Sequence, residues 1–410
     1  MKRGQLEARV LTLVTLGLVA FGLVMVYSAT SASAALANGD PAYFLKRQAG
    51  YALLGLVLMV AASRIDYRIL RRLAPALIVT SLVLLVAVLG MGQAVNGARR
   101  WITFGPVVFQ PSELAKLALA VWAASYLTRR RPPQRLAELW RPFGLLVAIF
   151  SALLLAEPDL GTAITIMLML AGMLLVAGTP VRTLAAGLSI AGTVGLLAVW
   201  FEPYRRARLF SFINPWHDAQ GAGYQTVQAI IGLGSGGIFG RGLGQSIEKA
   251  NFLPEAHTDM IFAIIGEELG LVGAAAVMAA YAAFAYFGLR IALGCKDPFG
   301  KRLAAGLTVL VCGQAAINLA AVMGLAPLTG IPLPFVSYGG SSLVVALVSV
   351  GILLNIAGDA GTRRASLPDS GRGDSRPRAA RPRGRSGAAR PRRASDVRRI
   401  STARRGAARS

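Results

Sequence analysis

Charge is scarce in this 410-residue chain, and the little there is leans one way. Charged residues make up 15% of it, against roughly 25% in an ordinary soluble domain. Lys and Arg number 43, Asp and Glu only 19, and histidine and cysteine occur twice each. Two cysteines exclude a disulfide framework; Cys295 in a basic loop and Cys312 in an apolar run read as inert thiols. Two isolated histidines rule out an H-E-x-x-H metal site, and no Walker A sequence is present. Any reaction here runs without ATP, so its substrate must bring its own activation.

Apolar residues are in excess, at 55% of the chain. About 18 consecutive apolar residues suggest a spanning helix, and the runs predict ten: 9–29, 48–63, 74–91, 112–128, 142–157, 161–178, 183–201, 260–282, 304–324 and 340–358. The fold class is an all-α polytopic integral membrane protein. The small residues of "SATSASAALA" after the first run imitate a signal-peptidase site. That run is about 20 residues, longer than a signal peptide's core, so it reads as an uncleaved anchor.

Lys and Arg resist translocation, so loop charge sets orientation. Basic residues concentrate at the N-terminus and in 64–73, 129–141 and 290–302, and are fewer in 30–47, 92–111, 158–160 and 325–339. Both termini are therefore expected in the cytoplasm, with the large loop 202–259 outside. The net charge of +24 imitates a nucleic-acid binder, but residues 359–410 hold 16 Arg and 4 Asp, half of the excess. Such a tail cannot bury enough surface to fold, so the chain divides into a ten-helix membrane domain, 1–358, and a disordered basic tail, 359–410. No nucleic-acid partner is implied. The tail would instead attract anionic lipids of the inner leaflet.

The outer side gathers the polar clusters. They are "NGARRWITFGPVVFQPSELAK" (96–116), "EPDLGT" (157–162), loop 202–259 ending in "LPEAHTD", and "GIPLPFVSYGGSS" (330–342). Glu113, Lys116, Glu267 and Glu268 lie within spans, where a carboxylate costs on the order of 3 kcal/mol and normally faces protein or water. On an ideal helix Asp259 and Glu267 could line one cavity, Glu267 roughly 12 Å deeper, with Glu268 on the opposite side. The plainer role for Thr258 or Asp259 is an N-cap. "GLGSGGIFGRGLGQS" (232–246) fails as a dinucleotide fingerprint, because no strand precedes it. Its glycines allow a tight or re-entrant turn; alternatively its amides, beside Arg241 and Lys249, cradle a phosphate.

"LPEAHTD" with "FAIIGEELG", "NGARRWI", "QPSELAK", "EPDLGT" and "PLPFVSYGGSSL" resembles the SEDS family (shape, elongation, division and sporulation), in particular its FtsW branch. The likeness runs from about Met25 to Asn355. It implies a peptidoglycan glycosyltransferase in a bacterial cytoplasmic membrane, polymerising lipid II at the division septum. It also implies a class B penicillin-binding protein as transpeptidase partner, among other division proteins. Asp259 of the H-T-D motif is then the catalytic residue. Arg100, Trp101, Glu113 and Lys116 carry over as important, followed by Asp159, Glu255 and His257. Glu267, Ser337 and Ser341 join the substrate-binding candidates. The chain departs from the family at Glu248, where Gln is common, and at Met260, where Phe is common.

A sugar on a lipid pyrophosphate has a good leaving group, so one carboxylate acting as general base is enough. A glycosidase would want two carboxylates about 5–9.5 Å apart. Charge on the pyrophosphate needs cations: Arg100, Lys116, Arg206, Arg208 and Arg241 are candidates, or a divalent Mg or Mn at the acidic cluster. Intramembrane charges also suit a lipid II flippase, and a non-catalytic division scaffold is a third reading. The small-residue helix 273–288 would allow close packing with a partner helix.

Three Arg-Arg-x-Ser copies mark Ser366, Ser395 and Ser401 as basophilic kinase sites. Phosphate there, about −2 per site, would loosen the tail from anionic lipid. Phosphopeptide mapping of the native protein should find at least one of the three serines modified, and three clean serines would end the idea.

Overall fold

The computed structural model describes residues 3–95, 98–105, 107–249 and 253–365. Ser366, Ser395 and Ser401 therefore lie outside the described residues, as does most of the tail. In chain order the elements begin with α1 (Arg3–Asn38), α2 (Tyr43–Arg64) and α3 (Arg68–Met91). A small antiparallel sheet follows: β1 (Gln93–Val95), β2 (Ala98–Phe104) and β3 (Val107–Phe109), with β2 in the middle. Next come α4 (Pro111–Arg129), α5 (Leu136–Leu139), α6 (Leu145–Ala156), α7 (Leu160–Ala177), α8 (Val181–Trp200), α9 (Pro203–Ile213) and α10 (Tyr224–Ser235). The last three are α11 (Ile261–Gly294), α12 (Pro298–Val322) and α13 (Gly340–Ala365). α13 thus runs past the expected domain end at 358.

The protein is a multi-pass membrane protein. Among the described residues, eight helices are long and apolar enough to cross a bilayer: α1, α2, α3, α7, α8, α11, α12 and α13. The other two expected spans are present but atypical. α4 lies among α3, α7 and α12, with 14 of its 19 residues buried, so its surroundings are protein and it can carry Glu113 and Lys116. α6 has only 12 residues, but a π turn at Trp140–Gly144 joins it to α5 in one helical tract. Proline at 142 has no N–H to give to a continuing α-turn, and a π turn is one way a helix accommodates that loss.

α11 is broken at Gly270, whose φ of 66° and ψ of −162° leave the helical region. The glycine-rich loop fills the break. The amides of Arg241 and Gly242 donate to the carbonyls of Glu267 and Glu268, both at 3.0 Å. In return the amides of Leu271 and Val272 donate to Gly237 and Ile238, at 2.9 and 3.1 Å. Backbone groups freed in an apolar medium must find partners, and here a second chain segment supplies them. The approach is too close for side chains: a Cβ on Gly240 would lie 2.1 Å from the Glu268 carbonyl oxygen. These glycines form a re-entrant plug. The amides of Arg241 and Gly242 are bonded to α11 and those of Gly240 and Gln245 within the loop, so these four are not free to cradle a phosphate.

Gly240→Ala or Gly270→Ala should push the loop out of the break and destabilise the fold by about 1–3 kcal/mol or more. The melting temperature of the detergent-solubilised protein reads this directly. An unchanged value would show that loop and helix part without cost.

Candidate active site

The loops at one end of the helices meet through specific hydrogen bonds. Asp259 stands at their centre, half-buried, in the turns that precede α11. It is not an N-cap, and neither is Thr258. The cap residue is Met260, which makes no side-chain cap bond, and the Thr258 hydroxyl turns to Glu255. The chain reaches Asp259 through Glu255, whose φ of 56° is left-handed. That conformation is costly without glycine, and it recurs where a fold holds a functional group in place.

Around the Asp259 carboxyl are Thr258, Glu255 and, from α9, Arg208. The loop 325–339 closes over it, with Gly330 near enough that a Cβ there would sit 3.9 Å from Oδ2. Burial, then the charge of Glu255, pushes the Asp259 carboxyl up to about 6; Arg208 works against both. His257 faces the other way, its ring 4.7 Å from Phe44 and 5.5 Å from Tyr338. Burial in that aromatic niche lowers its pKa, opposed by Glu255, so it is neutral at pH 7. Among the described residues no three His, Cys, Asp or Glu side chains gather as metal ligands, so the divalent-ion reading finds no donor set here.

A second cluster surrounds the turn between α6 and α7. Asp159 caps α7, accepting from the Thr162 amide at 3.1 Å and its hydroxyl at 2.8 Å. Ser112 and Gln110, at the start of α4, donate to the same carboxylate. Arg100 on β2 donates to the carbonyls of Glu157 and Pro158, and Trp101 beside it is half-buried. The Ser341 hydroxyl accepts from the Gln110 amide. This cluster reaches the loop over Asp259, because Gly161 packs on Ile331 and Thr329.

Several candidates occupy positions the sequence reading did not foresee. Lys116 is 2% exposed; its ammonium bonds Glu113 at 2.9 Å and the Gln314 carbonyl oxygen at 2.8 Å, so it is an interior ion pair rather than an open cation. Glu267 does not share a cavity with Asp259. Its carboxylate is held by the Ser246 hydroxyl, the Ile247 and Glu248 amides and Arg241, and it organises the end of the glycine-rich loop. Arg241 is thereby directed to Glu267, while Arg206 lies over the Trp200 ring, 5.9 Å from its centroid. Glu268 does meet different neighbours, Ser28 of α1 and Lys249. The Ser337 hydroxyl accepts from the Leu333 amide. Glu248, the departure from the family pattern, is buried beside Glu267 and has its pKa raised by burial and by that neighbour.

Two residues of α12 were missed. Gln314 donates to the Pro332 carbonyl at 3.0 Å, and Asn318 donates to the carbonyls of Asp259 and Ile331 at 2.7 and 2.8 Å. Two amides four residues apart in an apolar helix were the available signal.

Glu157 is fully buried, and neither carboxyl oxygen has a hydrogen-bond partner in the protein. Burial, then Asp159, pushes it up to about 8, with Arg100 opposing. A carboxyl with a raised folded pKa holds its proton more tightly when folded, so wild-type stability should fall as pH rises from the unfolded value, about 4.5, to about 8. Glu157→Gln cannot ionise and should remove that slope, worth on the order of a few kcal/mol at the alkaline end. Melting temperatures of both proteins across pH 5–9 test this, and parallel curves would refute it.

The comparisons agree with this geometry. The family model described as a cell cycle protein, covering FtsW, RodA and SpoVE, matches residues 8–361. A probable peptidoglycan glycosyltransferase FtsW of Geobacter metallireducens is 43% identical over 351 residues, 85% of this chain and 94% of that protein. Stage V sporulation protein E of Bacillus subtilis is 40% identical over 354 residues, 85% of this chain and 96% of that one. Among solved structures, a chain of a peptidoglycan synthase complex that coordinates polymerization and crosslinking superposes with a TM-score of 0.71 at 32% identity, covering 85% of this chain and 97% of that one. The rod shape determining protein RodA of Thermus thermophilus gives 0.64 at 30% identity, covering 85% and 96%. A membrane bundle with its polar loops gathered at one end, matched over most of its length in both sequence and structure, belongs to the FtsW/RodA/SpoVE family of cell cycle proteins.

Proposed function

We propose that this chain is a peptidoglycan glycosyltransferase that polymerises lipid II on the outer face of a bacterial cytoplasmic membrane, with Asp259 as general base. The observation that carries the reading is the setting of Asp259: half-buried, raised to about 6, and facing a single neighbouring arginine, Arg208. Near neutral pH such a carboxylate is ionised yet basic enough to take a proton. It accepts the proton of the acceptor sugar hydroxyl as that oxygen bonds to the donor's anomeric carbon. The bond from that carbon to the phosphate oxygen breaks, and the lipid pyrophosphate leaves with the electron pair. Arg208 lies where it can offset charge developing on the departing phosphate. The printed names of the relatives, glycosyltransferases of peptidoglycan, support the same substrate class.

In this reading the Asp259 end faces outward and both termini face the cytoplasm, as loop charge suggests. The protein works at the division septum beside a class B penicillin-binding protein that cross-links the strands and other division proteins; the neighbour that pairs polymerization with crosslinking supports such a partner. Arg100, Trp101 and Asp159 shape the outer lip that receives the sugars, with Ser341 bracing it. The basic residues that follow α13 act on anionic inner-leaflet lipid.

Glycan-strand synthesis from labelled lipid II by the purified protein with its transpeptidase partner tests the assignment. Asp259→Ala should lower polymer formation by on the order of 100- to 10,000-fold while the protein stays folded. Wild-type activity should rise with pH through about 6 as Asp259 loses its proton. Equal polymer from both proteins would remove Asp259 from the centre. No polymer from either would favour the flippase.

A further inference from the structure

Asp259 is not held in place by the helix that follows it. No side chain caps α11, and the residues ahead of Asp259 turn through a left-handed Glu255. A strained approach persists only where the surroundings over-determine it. The bond that fixes the Asp259 backbone comes from across the bundle, from Asn318 of α12.

Asn318 is 2% exposed, and its amide nitrogen faces two carbonyl oxygens, those of Asp259 and Ile331. An amide has two N–H donors and both are used, while its oxygen is buried without a partner. Among side chains of this size, only an amide clamps two carbonyls at once. The segments it clamps are the one that carries Asp259 and the one that closes over its carboxyl at Gly330.

One turn deeper on the same face of α12, Gln314 repeats the arrangement. Its nitrogen holds the next carbonyl of the same loop, Pro332, and its oxygen accepts from Lys116. Lys116 in turn is paired with Glu113. A continuous line of hydrogen bonds and one loop segment therefore joins the buried ion pair of α4 to the backbone of Asp259. It gives Glu113 and Lys116 a place in the site without contact with substrate.

We propose that Asn318, braced by Gln314, Lys116 and Glu113, is a positioning residue that sets the distance between Asp259 and the loop 328–333. The inference rests on the reading of Asp259 as the base. The charged groups that act on Asp259 are Glu255 from its own segment and Arg208 from α9, while His257 of the same segment is turned toward Phe44 and Tyr338. Releasing the clamp changes its distance from Arg208 and so its titration as well as its aim.

The test measures kcat, KM for lipid II and the pH dependence of kcat for wild type, Asn318→Ala, Asn318→Asp and Asp259→Asn, each with the transpeptidase partner, alongside melting temperatures. A misplacement of about 1 Å can cost on the order of 100-fold in rate. Asn318→Ala should lower kcat by about 10- to 100-fold, leave KM within about threefold, and move the acidic midpoint of the pH profile. Relative to wild type at the same pH, Asn318→Asp should be least impaired at low pH, where a neutral carboxyl can donate one hydrogen bond, and more impaired as pH rises. If Asn318→Ala does not fold, Asn318→Asp carries the test alone. A wild-type kcat in a variant that lacks the clamp, with Asp259→Asn inactive, overturns the positioning role and leaves the base intact. A joint loss of kcat, KM and melting temperature at an unmoved midpoint reduces Asn318 to a structural bond. Full activity of Asp259→Asn overturns the base itself, and the positioning role with it.

Discussion

A backbone group inside a bilayer has no water to turn to, and the break in α11 shows how the fold answers that constraint. Four hydrogen bonds exchanged between the loop 237–242 and the segment 267–272 let a spanning helix stop and resume. Because the loop is pinned there, its continuation through Ser246, Ile247 and Glu248 can lock onto Glu267. Lys249 follows and reaches Glu268 and, through it, α1. The entry to Asp259 therefore starts from a fixed point only a few residues upstream.

The same medium governs the charges. Glu113 meets Lys116, Glu268 meets Lys249, and Glu267 meets Arg241 together with two amides and a hydroxyl. Removing one partner of such a pair typically costs 3–5 kcal/mol, because the other is left stranded. Paired in this way, they behave as internal joints between helices. Among the described residues of the loop end, Asp259 differs in being half-buried with a raised pKa and an arginine near it, and the proposed chemistry falls to that pair.

Much of this was legible in the chain. Among the described residues, the ten apolar runs became eight helices long and apolar enough to span, the buried α4 and one composite tract, since a long apolar run is the signal itself whether a helix faces protein or lipid. α4 was recognisable by its apolar run, although its polar residues face protein. The small sheet was not foreseen, yet "NGARRWITF" holds an Asn-Gly dipeptide ahead of alternating β-branched and aromatic residues, a hairpin pattern. Helical periodicity placed Glu268 away from Asp259 correctly but misjudged Glu267. An ideal helix was extended back through Asp259, whereas α11 begins only at Ile261. The two amides of Gln314 and Asn318 in an apolar helix were a signal, but three of their partners are backbone carbonyls, which leave no mark on a sequence, so their link to Asp259 was not legible.

The π turn at Trp140–Gly144 bears on how this helical tract tolerates changes of length. Such a turn holds one residue more than an α turn, so every side chain beyond it is rotated by about 100° about the helix axis. Val147, Phe150 and Leu154 point into the protein at that rotated azimuth, and the buried Glu157 follows on the same phase. A one-residue deletion at the bulge would leave an unbroken helix yet swing this face toward lipid. Insertions in the preceding loop, between α4 and α5, would be absorbed without turning it. The tract is thus indifferent to length on one side of the bulge and keyed to single residues on the other.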